Sequence, residues 1–201
     1  LSIITGSVRP TSGKITLGKA DPFRRSKQWR KLLGYLPQSF DFAPGLTGRE
    51  ALLQAALLHG ASPGEAKRLA SRLLGEFRFD EAVASRAASG YSIGMKQRLA
   101  FACALVNEPA LLLLDEPTAG LDPIERRLFR ESLRDGLSHG QMAILSSHIV
   151  GDIEHCCDHV VVIGSGRVLF HGPIRELAMK AEGRIWHSPA GESDLLHWKN
   201  E

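Results

Sequence analysis

The chain has 201 residues, 43% of them hydrophobic and 23% charged, with a formal net charge of +3. This composition fits one folded domain, with or without an inserted lobe, and excludes disordered and fibrous classes. Lys and Arg are spread along helical stretches, so no nucleic-acid partner is expected; no apolar run approaches the roughly 18 residues of a membrane span, and no basic leader precedes one.

Leu1-Ser2-Ile3-Ile4-Thr5-Gly6 opens the chain inside an apolar helical pattern without an initiator Met, and reads as the start of a fragment. The triplet Ser12-Gly13-Lys14 is not a phosphate loop, because no Gly lies five residues before Gly13 and Ile15 stands where a hydroxyl is needed. Arg24, Arg25, Lys27, Arg30 and Lys31 are the densest basic group and read as a solvated helix face. Short apolar runs at Ile15 to Leu17, Leu32 to Leu36, Ala110 to Leu114, Ala143 to Ser146 and Val160 to Ile163 alternate with helical stretches, which predicts an α/β fold with a largely parallel sheet. Leu111 to Leu114 and Val160 to Ile163 are apolar at every position and are expected to be central strands.

Helix starts are written at Thr47, Ser62 and Asp122, each three residues before a Glu and twice followed by Pro. After Asp122, the positions Ile124, Leu128, Leu133 and Leu137 predict one core-facing stripe. Between Pro44 and Ser89 only helical patterns occur. The expected organisation is therefore an α/β core over 1–43 and 96–182, a helical lobe over 44–95 and a tail over 183–201. Cys103, Cys156 and Cys157 are an odd set with two sequence neighbours, which argues against a disulfide framework and fits a reducing cytosol. His155 and His159 have a metal-ligand spacing if they share a helix, but an ordinary helix end explains them better.

Chemistry concentrates at the ends of the apolar runs. Asp115 and Glu116 put adjacent carboxylates at the C-terminal end of a buried strand, where open α/β sheets bind ligands. Asp115 suits Mg²⁺ and Glu116 a general base. Alone, the pair fits a solvated loop equally well. Ser92 and Gly94 open a helix whose free N–H groups could face a phosphate, or Ser92 could simply cap that helix. Gln38 and His148 each follow a strand, and each alone would read as an ordinary polar residue.

Taken together, these residues closely resemble the ATP-binding-cassette family, in its exporter-type branch serving drugs, lipids or antibiotics. Asp115-Glu116 matches the Walker B end and catalytic glutamate, and Gly120-Leu121-Asp122 the D-loop. Ser92 with Gly94 matches the signature motif, Gly34-Tyr35-Leu36-Pro37-Gln38 the Q-loop, and Ser146-Ser147-His148 the switch histidine. The resemblance implies a P-loop NTPase three-layer core. It also implies ATP and Mg²⁺ as ligands, Gln38 and Asp115 at the metal, Glu116 and His148 at the γ-phosphate, and Ser92, Gly94 and Asp122 at a nucleotide held by a paired subunit. It further implies a homodimer or paired ATPase, a separate transmembrane permease, and a cytoplasmic position at the inner face of the membrane.

The phosphate loop of that family has no match, so the chain is expected to begin just after it and to bind ATP poorly by itself. Ile93 and Met95 depart from the common signature, and Ile93 is expected to point away from nucleotide. Phe40, Phe42 and Leu46 fit either a groove for a permease helix or core packing of the lobe. A soluble cassette ATPase of translation or DNA repair, and a degenerate regulatory cassette, are the alternative functions.

Overall fold

The computed structural model describes residues 1–24, 26–137 and 140–181; Arg25 of the basic group and the expected tail over 183–201 lie outside the described residues. Elements follow in the order α1 (Ser26–Leu32), β1 (Leu33–Leu36), α2 (Gly48–Leu58), α3 (Pro63–Glu76), α4 (Glu81–Ala84) and a 3-10 turn (Ala88–Gly90). Then come α5 (Ile93–Leu105), β2 (Leu111–Asp115), α6 (Pro123–Gly136), β3 (Met142–Ser146), α7 (Val150–Cys156), β4 (His159–Gly164), β5 (Arg167–Pro173) and α8 (Ile174–Ala181). The chain forms two compact units, Leu1–Cys156 and Cys157–Glu201.

In the first unit β1, β2 and β3 form a parallel sheet with β2 in the middle. β2 is buried on both faces, as its unbroken leucine run requires. Leu112 and Leu114 join the larger core built by α2, α3, α5 and α6, while Leu111 and Leu113 join a smaller core around Trp29 and Leu33. Each fully buried leucine contributes about 1.5–3 kcal/mol relative to an exposed one. Trp29 is the buried residue of α1, whose Lys27, Arg30 and Lys31 are exposed, and its indole N–H donates to the Ile4 carbonyl at 2.8 Å.

The expected strand at Ile15 to Leu17 does not form: a single bridge joins Leu17 to Ala20, and Ile15 and Leu17 instead pack on the smaller core. Residues 1–8 make one helical turn, with Ile4 and Thr5 N–H groups bonded to the Leu1 carbonyl. Phe40, Phe42 and Leu46 pack partly buried against the larger core.

The predicted helix caps are present. Thr47 with Glu50 and Ser62 with Glu65 form reciprocal capping boxes, and Asp122 Oδ1 accepts from the N–H groups of Ile124 and Glu125. The predicted stripe on α6 is corrected at its first position. Ile124 is 65% exposed, while Phe129 and Leu133 are buried, because the face turned to α5 is set by Phe101 packing on Phe129 at 5.3 Å. Gly48 opens α2 against the Tyr91 ring: a Cβ there would stand 2.5 Å from the Tyr91 hydroxyl, which donates to the Val83 carbonyl at 2.6 Å. Gly48→Ala is expected to cost about 1–3 kcal/mol in urea unfolding, and Tyr91→Phe in the same chain to recover part of it.

In the second unit β4 and β5 pair antiparallel through a tight turn at Ser165 and Gly166, both at positive φ, and α8 follows. The expectation of a central strand at Val160 to Ile163 is therefore overturned. Exposure alternates along β4, with Val161 and Ile163 open at 58% and 69%, because a two-stranded hairpin covers one face at most. His155 lies in α7 and His159 begins β4, so the two do not share a helix. No described helix is long and apolar enough to cross a membrane.

Candidate functional site

The parallel register brings three strand ends to one edge of the sheet. Leu36 pairs with Leu114 and Asp115 with Ser146, so Pro37-Gln38, Asp115-Glu116 and Ser146-Ser147-His148 all leave the sheet on its C-terminal side. Side chains at this edge meet ligands in parallel α/β sheets because the chain must turn there and cannot bury its polar groups.

Asp115 and Glu116 are held differently. Asp115 Oδ1 accepts from Ser146 Oγ at 2.6 Å, which locks the carboxylate to the neighbouring strand. Its charge, after burial, is the second cause that holds the Tyr35 hydroxyl above its ordinary range. Glu116 has left the strand with φ +48, a conformation costly for a non-glycine residue. Its N–H is shared between the carbonyl and the hydroxyl of Ser146, both at 3.1 Å, and this anchor sustains the turn. The turn aims the Glu116 carboxylate at His148, whose Nδ1 lies 2.8 Å from Oε2. That oxygen is buried and has no aligned hydrogen-bond donor, so a lone pair is left for a further group. His148 is largely exposed, and Gln38 is exposed beside Pro37.

A buried polar network fixes the frame around this pair. Asp152, in the first turn of α7, accepts from Arg130 Nε at 2.8 Å and Nη2 at 2.5 Å, and its other oxygen accepts from the Thr118 hydroxyl. The network ties the segment after Glu116, α6 and the helix after His148 together. None of these three residues stands out in the sequence, where Asp152 and Arg130 read as polar faces of amphipathic helices.

Ser92 and Gly94 lie at the start of α5. Tyr91 stacks on Phe79, with ring centroids 5.8 Å apart, and sets the position of Ser92, which caps α5 by accepting from the Met95 N–H at 3.2 Å. Ser92 Oγ also donates to Glu125 Oε1 at 3.1 Å, and a Cβ on the buried Gly94 would collide with the Glu125 carboxylate. Ile93 is 62% exposed. Lys96 pairs with Asp41 at 3.1 Å, joining α5 to the loop after Gln38, and its ammonium holds the Asp41 carboxyl below the usual range. Asp122, which caps α6, is exposed three residues before Glu125. Burial pushes the Cys103 thiol, further along α5, up to about 12, so it behaves as a small apolar group.

Residues 1–119 match the family model described as ABC transporter. The chain belongs to the ABC transporter family. The match takes in Gln38, Ser92, Gly94, Asp115 and Glu116 and stops before Asp122 and His148. The chain is 37% identical to the Nod factor export ATP-binding protein I of Rhizobium etli over 87% of its own length and 55% of that protein's. It thus spans little more than half of this curated relative. Among solved structures, the ATP binding subunit of an ABC transporter superposes with a TM-score of 0.78 at 30% identity, over 98% of this chain and 80% of that one. CbiO1 of Clostridium perfringens, part of the ABC transporter complex CbiONQ, superposes with a TM-score of 0.76 at 26% identity, over 90% and 74% of the two chains. These likenesses fit the α/β fold of an ABC ATPase domain, with nucleotide as the ligand class.

The residues at the strand ends fit Mg²⁺ as well. Asp115, Glu116 and Gln38 offer carboxylate and amide oxygens, the hard donors that Mg²⁺ takes, and the unfilled lone pair of Glu116 Oε2 fits a water of its shell.

Proposed function

We propose that the full-length protein is the ATP-hydrolysing subunit of an ABC exporter, pairing with a second ATPase domain around two nucleotides and driving a separate membrane permease. The observation that carries this reading is the Glu116–His148 pair at 2.8 Å on the edge where three parallel strands end. Nδ1 of His148 faces Glu116, which leaves Nε2 on the far side of the ring for contact with a γ-phosphate oxygen. Glu116 Oε2 takes the proton of the attacking water, whose oxygen bonds to the γ-phosphorus as the bond to ADP breaks. Asp115 and Gln38 would hold Mg²⁺, which when bound neutralises charge on the phosphate oxygens. Ser92 and Gly94 present the start of α5, and Asp122 the turn before α6, to the nucleotide of the partner subunit.

The residues over 44–95 form the lobe that meets the permease in this reading, and the assembly sits on the cytoplasmic side of the membrane. Support for the transport role comes from the relatives: one is named for Nod factor export and one belongs to a transporter complex. His148→Ala in the full-length protein is expected to lower ATP hydrolysis at least about tenfold with ATP binding retained. Phosphate release and equilibrium binding of ATP check this, and unchanged hydrolysis would remove His148 from the reaction.

A further inference from the structure

Three helices of the chain start with the same sequence device, a capping residue followed three positions later by Glu, and only one of them breaks the pattern. Glu50 and Glu65 turn back on their own caps, accepting from the N–H groups of Thr47 and Ser62 at 2.9 and 2.8 Å. Glu125 does not. Its side chain crosses to α5, accepts from Ser92 Oγ at 3.1 Å and fills the space that Gly94 leaves by having no Cβ. Its charge also acts on Arg98, where it counters the effect of burial on the guanidinium.

A carboxylate so placed answers the positive end of α5 in the way a phosphate would. We propose that Glu125 is a built-in competitor for the phosphate seat of α5: it satisfies Ser92 and covers Gly94 in the free subunit, and a nucleotide phosphate must displace it to dock. This rests on the reading that α5 faces a nucleotide held by a second subunit. Two like charges cannot share the hydroxyl of Ser92 and the bare face of Gly94, so the resident one raises the ATP concentration at which two subunits close. The device makes the free subunit stable with its signature face occupied, and sets a threshold on ATP-driven pairing.

The test uses the full-length protein carrying Glu116→Gln, with dimer formation followed by sedimentation as ATP is raised. Glu125→Gln keeps the shape and the hydrogen bond to Ser92 but removes the charge, and Glu125→Ala removes both. Both variants are expected to lower the ATP concentration for half-maximal dimer by about tenfold, and the gap between Glu125→Gln and its parent is expected to narrow at high salt. A midpoint that stays or rises in both variants overturns the proposal while leaving the dimer reading intact. No dimer at saturating ATP in the Glu116→Gln parent overturns both.

Discussion

Glu116→Gln in the full-length protein is expected to cut ATP turnover by about 100- to 10,000-fold while ATP binding persists, so that a nucleotide-loaded dimer accumulates. The substitution is isosteric and changes only the chemistry. Glutamine retains a carbonyl oxygen that can accept a hydrogen bond from water, but it cannot take the proton. The backbone that aims the side chain is held independently of the carboxylate, by the two contacts from the Glu116 N–H to Ser146. The positive φ at this position is therefore preserved, and the loss reads out on the chemical step instead of on folding. Single-turnover hydrolysis and ATP binding by the same preparation separate the two. A variant that remains monomeric with ATP and still hydrolyses it at the parent rate would remove Glu116 from the role of base.

The site was legible wherever its residues follow from an uninterrupted local pattern. Leu111 to Leu114 reads as a strand buried on both faces and is one, so the polarity change at Asp115 marks a strand end, and the structure places it in register with Ser146. The caps at Thr47 and Ser62 close within four residues and need no tertiary information. Patterns failed where the same local signal serves two folds. Val160 to Ile163 is as apolar as β2, yet it pairs in a hairpin, and the deciding signal was the short turn at Ser165 and Gly166. Ile124 sits at helical spacing from Leu128, but the packing of Phe129 on Phe101 selects a different face.

The long-range contacts of Glu125 and Asp152 were not legible. Glu125 carries the signature of a local cap partner, and only the approach of α5 to α6, allowed by Gly94, diverts it to Ser92. The partners of Asp152 lie 34 and 22 residues away, at Thr118 and Arg130. Each of them is an ordinary polar residue until the sheet order brings α6 and α7 together.

Asp152→Ala is expected to destabilise the protein by about 3–5 kcal/mol, measured as the midpoint of urea unfolding, the largest effect of any single polar substitution described above. Asp152 is 1% exposed, and its loss strands the Arg130 guanidinium, itself only 20% exposed, together with the Thr118 hydroxyl, 3% exposed. The cost is that of a largely buried cation without its counter-charge, which water at its exposed edge replaces only in part. Replacing Arg130 by Met in the same chain removes the stranded charge, so the double variant is expected to be more stable than Asp152→Ala alone. Thr118→Val removes one donor to the buried Asp152 carboxylate and is expected to cost about 1.5–3 kcal/mol, less than Asp152→Ala. The network also anchors α7 immediately after His148, so Thr118→Val, which leaves the ion pair intact, separates stability from positioning. If the network serves the frame of the site, this variant lowers hydrolysis in the full-length protein out of proportion to its effect on unfolding. Proportionate losses in both would confine the network to the fold.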